Sequence, residues 1–141
     1  MIPEDYQQLR RQLIRDEGFK NHVYKDQLGN ETIGVGHNLS SKVSDKAVEQ
    51  ILLDDITNCE QDLDSVPWTK SLSSARRGVL LAMCFNMGFS NLVHKNPKVI
   101  EACHVGDYET AADEMLGGTW EPQVGDRARR LSRQMRYDIW Q

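Results

Sequence analysis

The spacing of apolar positions predicts a chain made mostly of helices, with a short β segment near its start. Apolar residues recur with helical spacing from Ile2 to Leu13. Pro3 is suited to the first turn of a helix, and Gly18 to the left-handed position that ends one. The pattern therefore predicts a first helix over about residues 3–17.

Residues 22–37 change from helical spacing to a β pattern. β-Branched residues lie on either side of Gly29-Asn30, a dipeptide that favours a tight turn between two strands. Gly34 and Gly36 weaken a strand, so they indicate bulges or a close approach of the backbone to another group. We expect one small antiparallel hairpin here.

The rest of the chain returns to helical spacing. Ser44 predicts the start of a second helix that ends before Pro67, and either Ser71 or Ser73 opens a third helix. The third helix is apolar on nearly all sides, so it should be the buried central helix. A further short helix is predicted to start at Asn96-Pro97 and to be stopped by Gly106, and others are predicted from Asp107 to Leu116 and from near Asp126 to about Trp140. The fold class is therefore α+β and mainly α-helical.

Composition narrows the possible functions. The chain has 141 residues and a net charge of −4, so its overall field does not favour nucleic acid. Its three cysteines, an odd number without short spacing, indicate small core residues rather than a disulfide framework or a zinc site. We expect no metal and no cofactor. We expect no signal peptide, because the first residues lack a basic region followed by an apolar one, and no stable membrane insertion, because no apolar run is long enough.

Two acids and a hydroxyl are the candidate chemistry: Glu17, Asp26 and Thr32. A helix C-terminus disfavours negative charge, so a partly buried Glu17 would keep the proton that a general acid needs. Asp26, in a polar hairpin, should stay ionised, and Thr32 should face it across the hairpin and help to hold a water molecule. The plainer interpretation is a solvated acid at a helix end and an aspartate that forms a turn.

Residues 15–38 closely resemble the signature of the phage lysozymes, glycoside hydrolase family 24. The family's triad, a Glu and an Asp separated by eight residues and a Thr after five more, falls on Glu17, Asp26 and Thr32. The family's Gly-X-Gly-His run falls on residues 34–37. The resemblance continues at Cys84–Gly88, at Trp120 and at Asp126–Arg130. It implies a lysozyme-like fold and one catalytic domain over 1–141, with a β-containing lobe at about 17–60. The helical lobe would be about 61–141 plus the first helix.

The resemblance implies an endolysin, the bacteriolytic, antimicrobial enzyme with which a bacteriophage lyses its host cell. Its reaction is hydrolysis of the β-1,4 bond between N-acetylmuramic acid and N-acetylglucosamine in peptidoglycan. Glu17 would protonate the leaving oxygen, and Asp26 with Thr32 would activate a water molecule, giving inversion. The expected partners are peptidoglycan glycan strands and a holin-type export protein. The monomeric enzyme would stay in the host cytoplasm until its release to the periplasm and cell wall.

The resemblance also assigns supporting residues. It pairs His37 with Asp55, and no second His or Cys stands at ligand spacing that would make His37 a metal ligand. It brings Arg127 to Glu17, where the plainer interpretation is a surface arginine. Three residues would line the sugar cleft: Asn38, Phe85 and Asn86. For Phe85 and Asn86, the plainer interpretation is core packing with a local hydrogen bond.

Two other functions are open to the same residues. A lytic transglycosylase cleaves the same bond and needs the acid but not an aspartate that activates water, so Asp26 and Thr32 favour hydrolysis. A non-enzymatic helical protein that binds nucleic acid is the other alternative. Residues 126–141 carry five Arg and two Asp, a net charge of +3. The apolar stripe of that helix places one side on the core, which favours a solvated basic face over a nucleic-acid site.

Overall fold

The computed structural model describes residues 3–118 and 120–141, so Ile2 lies outside the described residues. The described part is α+β as predicted, and 70% of it is helical. Its helices are α1 Pro3–Glu17, α2 Asp45–Asp64, α3 Ser74–Met87, α4 Phe89–Lys95, α5 Pro97–His104, α6 Tyr108–Gly117, α7 Trp120–Val124 and α8 Asp126–Tyr137, with a short 3₁₀ helix at Pro67–Ser71. Its strands are β1 Lys20–Lys25, β2 Glu31–Gly34 and β3 His37–Asn38.

The chain divides into two compact units, and the first is Met1–Val48. It contains α1 and an antiparallel sheet in the order β1-β2-β3. The bounds of α1 are those predicted, and the amide of Gly18 donates to the carbonyl of Ile14 at 2.9 Å. Thr32 is the central residue of the sheet, since it pairs with Tyr24 on one side and with Asn38 on the other.

The third strand corrects the predicted two-stranded hairpin. The chain turns at residues 35–36 and returns as β3, where His37 pairs with Ile33. A two-residue strand is too short to show an alternating pattern, and its partner residues are supplied only by the folded β2. The glycine-rich stretch therefore forms a second tight hairpin rather than an irregular end to the first.

The first unit buries little of its own surface. Of its described residues, only Thr32 is buried. The apolar side of α1 is exposed and, with Phe19, lines a groove of about 270 Å³ that includes Tyr6, Leu9 and Leu13. Local capping and hydrogen bonding, rather than a core of its own, therefore define the geometry of this unit.

The second unit, Glu49–Gln141, contains the hydrophobic core. Helix α3 is its central helix as predicted, with Val79, Leu80 and Met83 wholly buried. Helix α8 packs against α3, α6 and α7. The side chain of Ser73 accepts a hydrogen bond from the amide of Arg76, which resolves the start of α3 in favour of Ser73. The core residues thus come from helices that are far apart in sequence.

Three details of the second unit differ from the sequence prediction. Helices α4 and α7 were not predicted, because seven- and five-residue helices show too few repeats of an apolar spacing. Helix α8 ends at Tyr137 instead of near Trp140, since Asp138 adopts the left-handed conformation with φ of 58°.

Among the described residues, no helix combines the length and apolar character that crossing a membrane requires.

The boundary between the units falls inside α2, after Val48. The grouping places α1 with the sheet, and the predicted membership of the first helix in the helical lobe stays a prediction. Ser44 caps α2 as predicted, with its hydroxyl oxygen accepting from the amide of Ala47 at 3.1 Å. The assignment of residues 1–141 to one catalytic domain stays a prediction.

Candidate active site

Glu17, the predicted acid, is the last residue of α1. Its side chain is exposed, so the partial burial expected from the sequence is not found. The carboxyl lies against the turn between β2 and β3, where a Cβ built on Gly36 would stand 2.9 Å from Glu17 Oε2. The carboxyl is thus exposed, and it occupies the space in which a side chain at position 36 would stand.

Asp26 lies at the turn between β1 and β2, and its carboxylate organises that turn. Oδ1 accepts from the amides of Leu28 at 2.9 Å and Asn30 at 2.8 Å, and Oδ2 accepts from the Asn30 side chain at 3.2 Å. The hydrogen bond from the Asn30 amide is the largest cause that lowers the pKa of Asp26 below its usual value. Asp26 is therefore ionised as predicted, and it is also the turn former of the plainer interpretation.

Thr32 is buried, with 2% of its surface exposed. Its hydroxyl donates to the carbonyl of Asn30 at 2.8 Å, and the same carbonyl accepts from the amide of Asp26 at 3.0 Å. Thr32 is therefore linked to Asp26 through a shared backbone carbonyl. The hydroxyl proton is thus used on the carbonyl two residues back, and the prediction that the Thr32 hydroxyl faces Asp26 stays a prediction.

His37 and Asn38 form β3 in the same unit. The Nε2 atom of His37 is buried, and no described residue forms a hydrogen bond with it. The proposed partner, Asp55, belongs to the second unit, so this pair stays a prediction, as does the approach of Arg127 to Glu17. The side-chain oxygen of Asn38 accepts from the amide of Ser40 at 2.8 Å, which leaves its NH₂ group to contact a ligand.

Phe85 and Asn86 lie in the last turns of α3 in the second unit. The indole Nε1 of Trp120 donates to Oδ1 of Asn86 at 2.8 Å. This hydrogen bond joins two helices across 34 residues of sequence, so it is a tertiary contact rather than the local bond of the plainer interpretation, and it leaves the amide NH₂ of Asn86 as a donor. Phe85 is 48% exposed and, together with Arg127, lines an apolar groove of about 480 Å³. Their contact with sugar stays a prediction.

Ion pairs occupy part of the basic face of α8. Arg129 pairs with Glu121 at 2.7 Å and also with Asp126. Arg136 pairs with Glu109 and with Asp113, the latter at 2.5 Å. Two of the five arginines therefore already face acids within their own unit, which favours the solvated face over a nucleic-acid site.

The three cysteines are free and buried. Burial raises the pKa of Cys84 and that of Cys103 to about 12. The thiols of Cys84 and Cys103 are therefore protonated at neutral pH, and the burial of all three cysteines agrees with their predicted role as small core residues.

Two contacts at the candidate site were not predicted from the sequence. The first is the role of Asn30 in holding Asp26, for which the Gly29-Asn30 turn was a usable signal. The second is the position of the Glu17 carboxyl against Gly36, for which the only signal was a glycine in a strand pattern. In both cases the sequence marked the residue but not its partner.

The phage lysozyme family matches residues 15–136, and the chain belongs to this family. It is accordingly a glycoside hydrolase of the lysozyme, or muramidase, class. The chain is similar to "Probable T4-type lysozyme 2" of Dictyostelium discoideum, at 30% identity over 155 aligned positions that cover 87% of this chain and 90% of that protein. It is also similar to "Probable T4-type lysozyme 1" of the same organism, at 27% identity over 149 positions, covering 82% and 86% of the two chains.

Proposed function

We propose that this lysozyme hydrolyses the β-1,4 bond between N-acetylmuramic acid and N-acetylglucosamine in peptidoglycan, with inversion. Glu17 donates its proton to the glycosidic oxygen as the bond to the anomeric carbon breaks. Asp26 takes a proton from a water molecule that attacks the same carbon from the opposite face. The observation that carries the proposal is the pairing, in one small unit, of an exposed Glu17 with a hydrogen-bonded, ionised Asp26.

The environments of the two carboxyls support different roles for them. Glu17 stands at the C-terminal end of a helix, where the dipole opposes a negative charge. Asp26 accepts three hydrogen bonds from its own turn, and these favour the charged form. An ionised Asp26 also stabilises the positive charge that develops on the sugar in an oxocarbenium-like transition state.

The topology of the sheet supports a wide separation of the carboxyls. Asp26 lies at the turn before β2, and Glu17 contacts Gly36 in the turn after it. The span of β2 from Glu31 to Gly34 is about 10 Å at roughly 3.3 Å per residue. Inverting enzymes need about 6.5–9.5 Å between the carboxyls to admit water, whereas retaining enzymes need about 5–5.5 Å. Anchoring at opposite ends of β2 favours the inverting arrangement.

Thr32 supports Asp26 in this proposal through the carbonyl of Asn30, which accepts from both residues. Fixing this carbonyl fixes the turn whose amides bind the carboxylate of Asp26. The hydroxyl keeps its lone pairs, so it can still accept a hydrogen bond from the attacking water. Its role is thus to orient the base and its water rather than to react.

The remaining family assignments extend the proposal to the binding of substrate. The side-chain NH₂ groups of Asn38 and Asn86 suit the carbonyls of N-acetyl groups, and Phe85 offers an apolar face to a sugar ring. Arg127 would hold Glu17, and Asp55 would accept a hydrogen bond from His37. Each of these contacts is part of the proposed function.

The stereochemistry of cleavage tests the mechanism. Purified enzyme is mixed with soluble peptidoglycan glycan chains, and NMR follows the first anomer at the new reducing end. Inversion of a β bond gives the α anomer first, and an initial β anomer would overturn the role of Asp26 as the base. Asp26→Asn serves as the control, since it keeps the size of the side chain but cannot accept a proton.

Product analysis separates hydrolysis from the transglycosylase alternative. Hydrolysis adds water and leaves a reducing end that borohydride converts to muramitol. A lytic transglycosylase instead releases a 1,6-anhydro sugar that borohydride does not reduce. Predominant anhydro product would refute hydrolysis, although it would leave the proposed acid role of Glu17 in place.

We also propose a physiological role in host cell lysis as a bacteriophage or prophage endolysin. The enzyme would act as a monomer and reach the wall through a holin-type partner. Expression in Gram-negative cells with and without a holin tests this, and lysis is expected only with the holin. Lysis at the same rate without it would contradict the release step. A salt-dependent DNA shift assay tests the nucleic-acid alternative, for which no shift is expected.

A further inference from the structure

Gly36 stands in the turn between β2 and β3, with φ of +65°. A Cβ at this position would lie 2.9 Å from Oε2 of Glu17, 3.1 Å from Cδ and 3.3 Å from Cγ. Real Cβ atoms essentially never approach another heavy atom within 3.0 Å. The carboxyl of Glu17 therefore occupies the space that any side chain at position 36 would need.

This contact is specific to Gly36 among the glycines of its unit. Gly18, Gly29 and Gly34 also have positive φ, but open space lies where their Cβ atoms would stand. The left-handed backbone conformation explains a glycine at each of these positions. At Gly36 alone among these four, a second reason applies, and it concerns the Glu17 side chain.

The contact matters because Glu17 is otherwise weakly held by the residues of its own unit. Its side chain is exposed, and no described residue of its own unit donates a hydrogen bond to its carboxyl. An exposed glutamate can adopt many rotamers, and this freedom opposes the fixed orientation that proton transfer requires. The absence of a side chain at Gly36 gives the carboxyl a position close to the backbone, and this limits the number of rotamers that Glu17 adopts.

We propose that Gly36 is a positioning residue, whose bare Cα seats the carboxyl of Glu17 in the orientation from which it protonates the leaving oxygen. The proposal rests on the proposed role of Glu17 as the acid. A methyl group at position 36 would have to displace the carboxyl by about 0.5 Å to reach ordinary contact distance. Oε2 is the far end of a flexible side chain, so the displacement moves the acid without preventing folding.

Gly34 provides a matched control for this displacement. It has φ of +71°, close to that of Gly36, and a Cβ there meets nothing within 4 Å. Gly36→Ala and Gly34→Ala should therefore suffer a similar backbone strain and a similar drop in thermal midpoint. Only Gly36→Ala should move Glu17. A difference in activity between the two variants then reports on the acid.

The expected result is a 10- to 100-fold lower kcat for Gly36→Ala, on the order expected for a misplaced catalytic group, with KM within about two-fold of wild type. Gly34→Ala should keep a kcat within about two-fold of wild type. In a Glu17→Gln background, Gly36→Ala should cause no further loss of kcat, because the proton donor is already absent. Equal kcat for Gly36→Ala and Gly34→Ala would overturn the proposal, as would a full additional loss in the Glu17→Gln background.

Two further arms keep the outcome decisive. If Gly36→Ala fails to fold, the pair Gly36→Asn and Gly34→Asn replaces it, since Asn tolerates the left-handed conformation better while keeping the Cβ. If Glu17→Gln retains activity, the proposed acid role is wrong, and the effect of Gly36→Ala on kcat cannot come from displacing a catalytic acid. Loss of kcat in Glu17→Gln with no effect of Gly36→Ala would leave the acid role intact and refute the positioning role alone.

Discussion

The contribution of the hydrogen bond between Trp120 and Asn86 to the free energy of unfolding can be tested quantitatively. Trp120 is 4% exposed, and its indole N–H donates to Oδ1 of Asn86 at 2.8 Å across 34 residues of sequence. Removing the acceptor from a buried donor costs about 1–3 kcal/mol. Because Asn86 is itself exposed, water can partly replace its oxygen, so we take about 1–2 kcal/mol from this range.

The variant Asn86→Ala combines this loss with a gain in helix propensity. Alanine is favoured over asparagine inside a helix by up to about 0.7 kcal/mol, and less near the end of α3 where Asn86 stands. We therefore expect a net loss of about 1 kcal/mol in the free energy of unfolding. Urea denaturation followed by far-UV circular dichroism measures it without depending on tryptophan fluorescence.

The matched background is Trp120→Phe, which removes the indole donor and keeps an aromatic ring. In this background Asn86→Ala has no hydrogen bond to break, so only the propensity term remains. In this background Asn86→Ala should be neutral or stabilising by up to about 0.5 kcal/mol, so the loss of stability should disappear or change sign. The same loss of stability in both backgrounds would refute the reasoning, since the cost would then come from something other than the Trp120 hydrogen bond.

Three further predictions concern the triad. Glu17→Gln should lower the lysis rate by about 10²–10⁴-fold at an unchanged thermal midpoint, and a folded variant with more than a tenth of the wild-type activity would contradict the acid role. Thr32→Val should lower the free energy of unfolding, measured in urea, by about 1 kcal/mol and should slow lysis, because it removes the hydrogen bond to the Asn30 carbonyl. Thr32→Ser keeps this hydrogen bond, so equal behaviour of the two variants would contradict its proposed role. The pKa of Asp26 is lowered in the folded state, so its stabilising contribution is present above its usual value of 3.8 and is lost as pH falls through the lower folded value. The difference in thermal midpoint between wild type and Asp26→Asn should therefore shrink below about pH 4, and a constant difference across this range would contradict it.

Short-range signals in the sequence determined the outer frame of the first unit. Pro3 and Gly18 bound α1, and the predicted span of 3–17 is the observed one. The cap at Ser44 and the turn at Gly29-Asn30 were also found where expected. Caps and turns depend on residues within four or five positions of one another, so the local sequence contains all the groups whose hydrogen bonds and backbone preferences form them.

The same local signals were sufficient for the choice of candidate residues but not for their contacts. The spacing of Glu17, Asp26 and Thr32 singled out the triad. It did not reveal that Thr32 donates to Asn30, because a buried hydroxyl takes whichever acceptor the folded turn places nearest. Nor did it reveal that Glu17 is exposed, since exposure depends on what packs around the end of a helix.

Only the tertiary structure decided which distant residues meet. The two-residue strand β3 exists because β2 offers it hydrogen-bond partners, and the acids that pair with Arg136 come from another helix, α6. The contact of Glu17 with Gly36 joins the end of α1 to a turn nineteen residues later, and that of Trp120 with Asn86 joins two helices. Periodicity and capping reflect interactions along the chain, whereas these contacts depend on the path the chain takes through space. The sequence could therefore name the reacting groups, but only the fold could show what holds each of them in place.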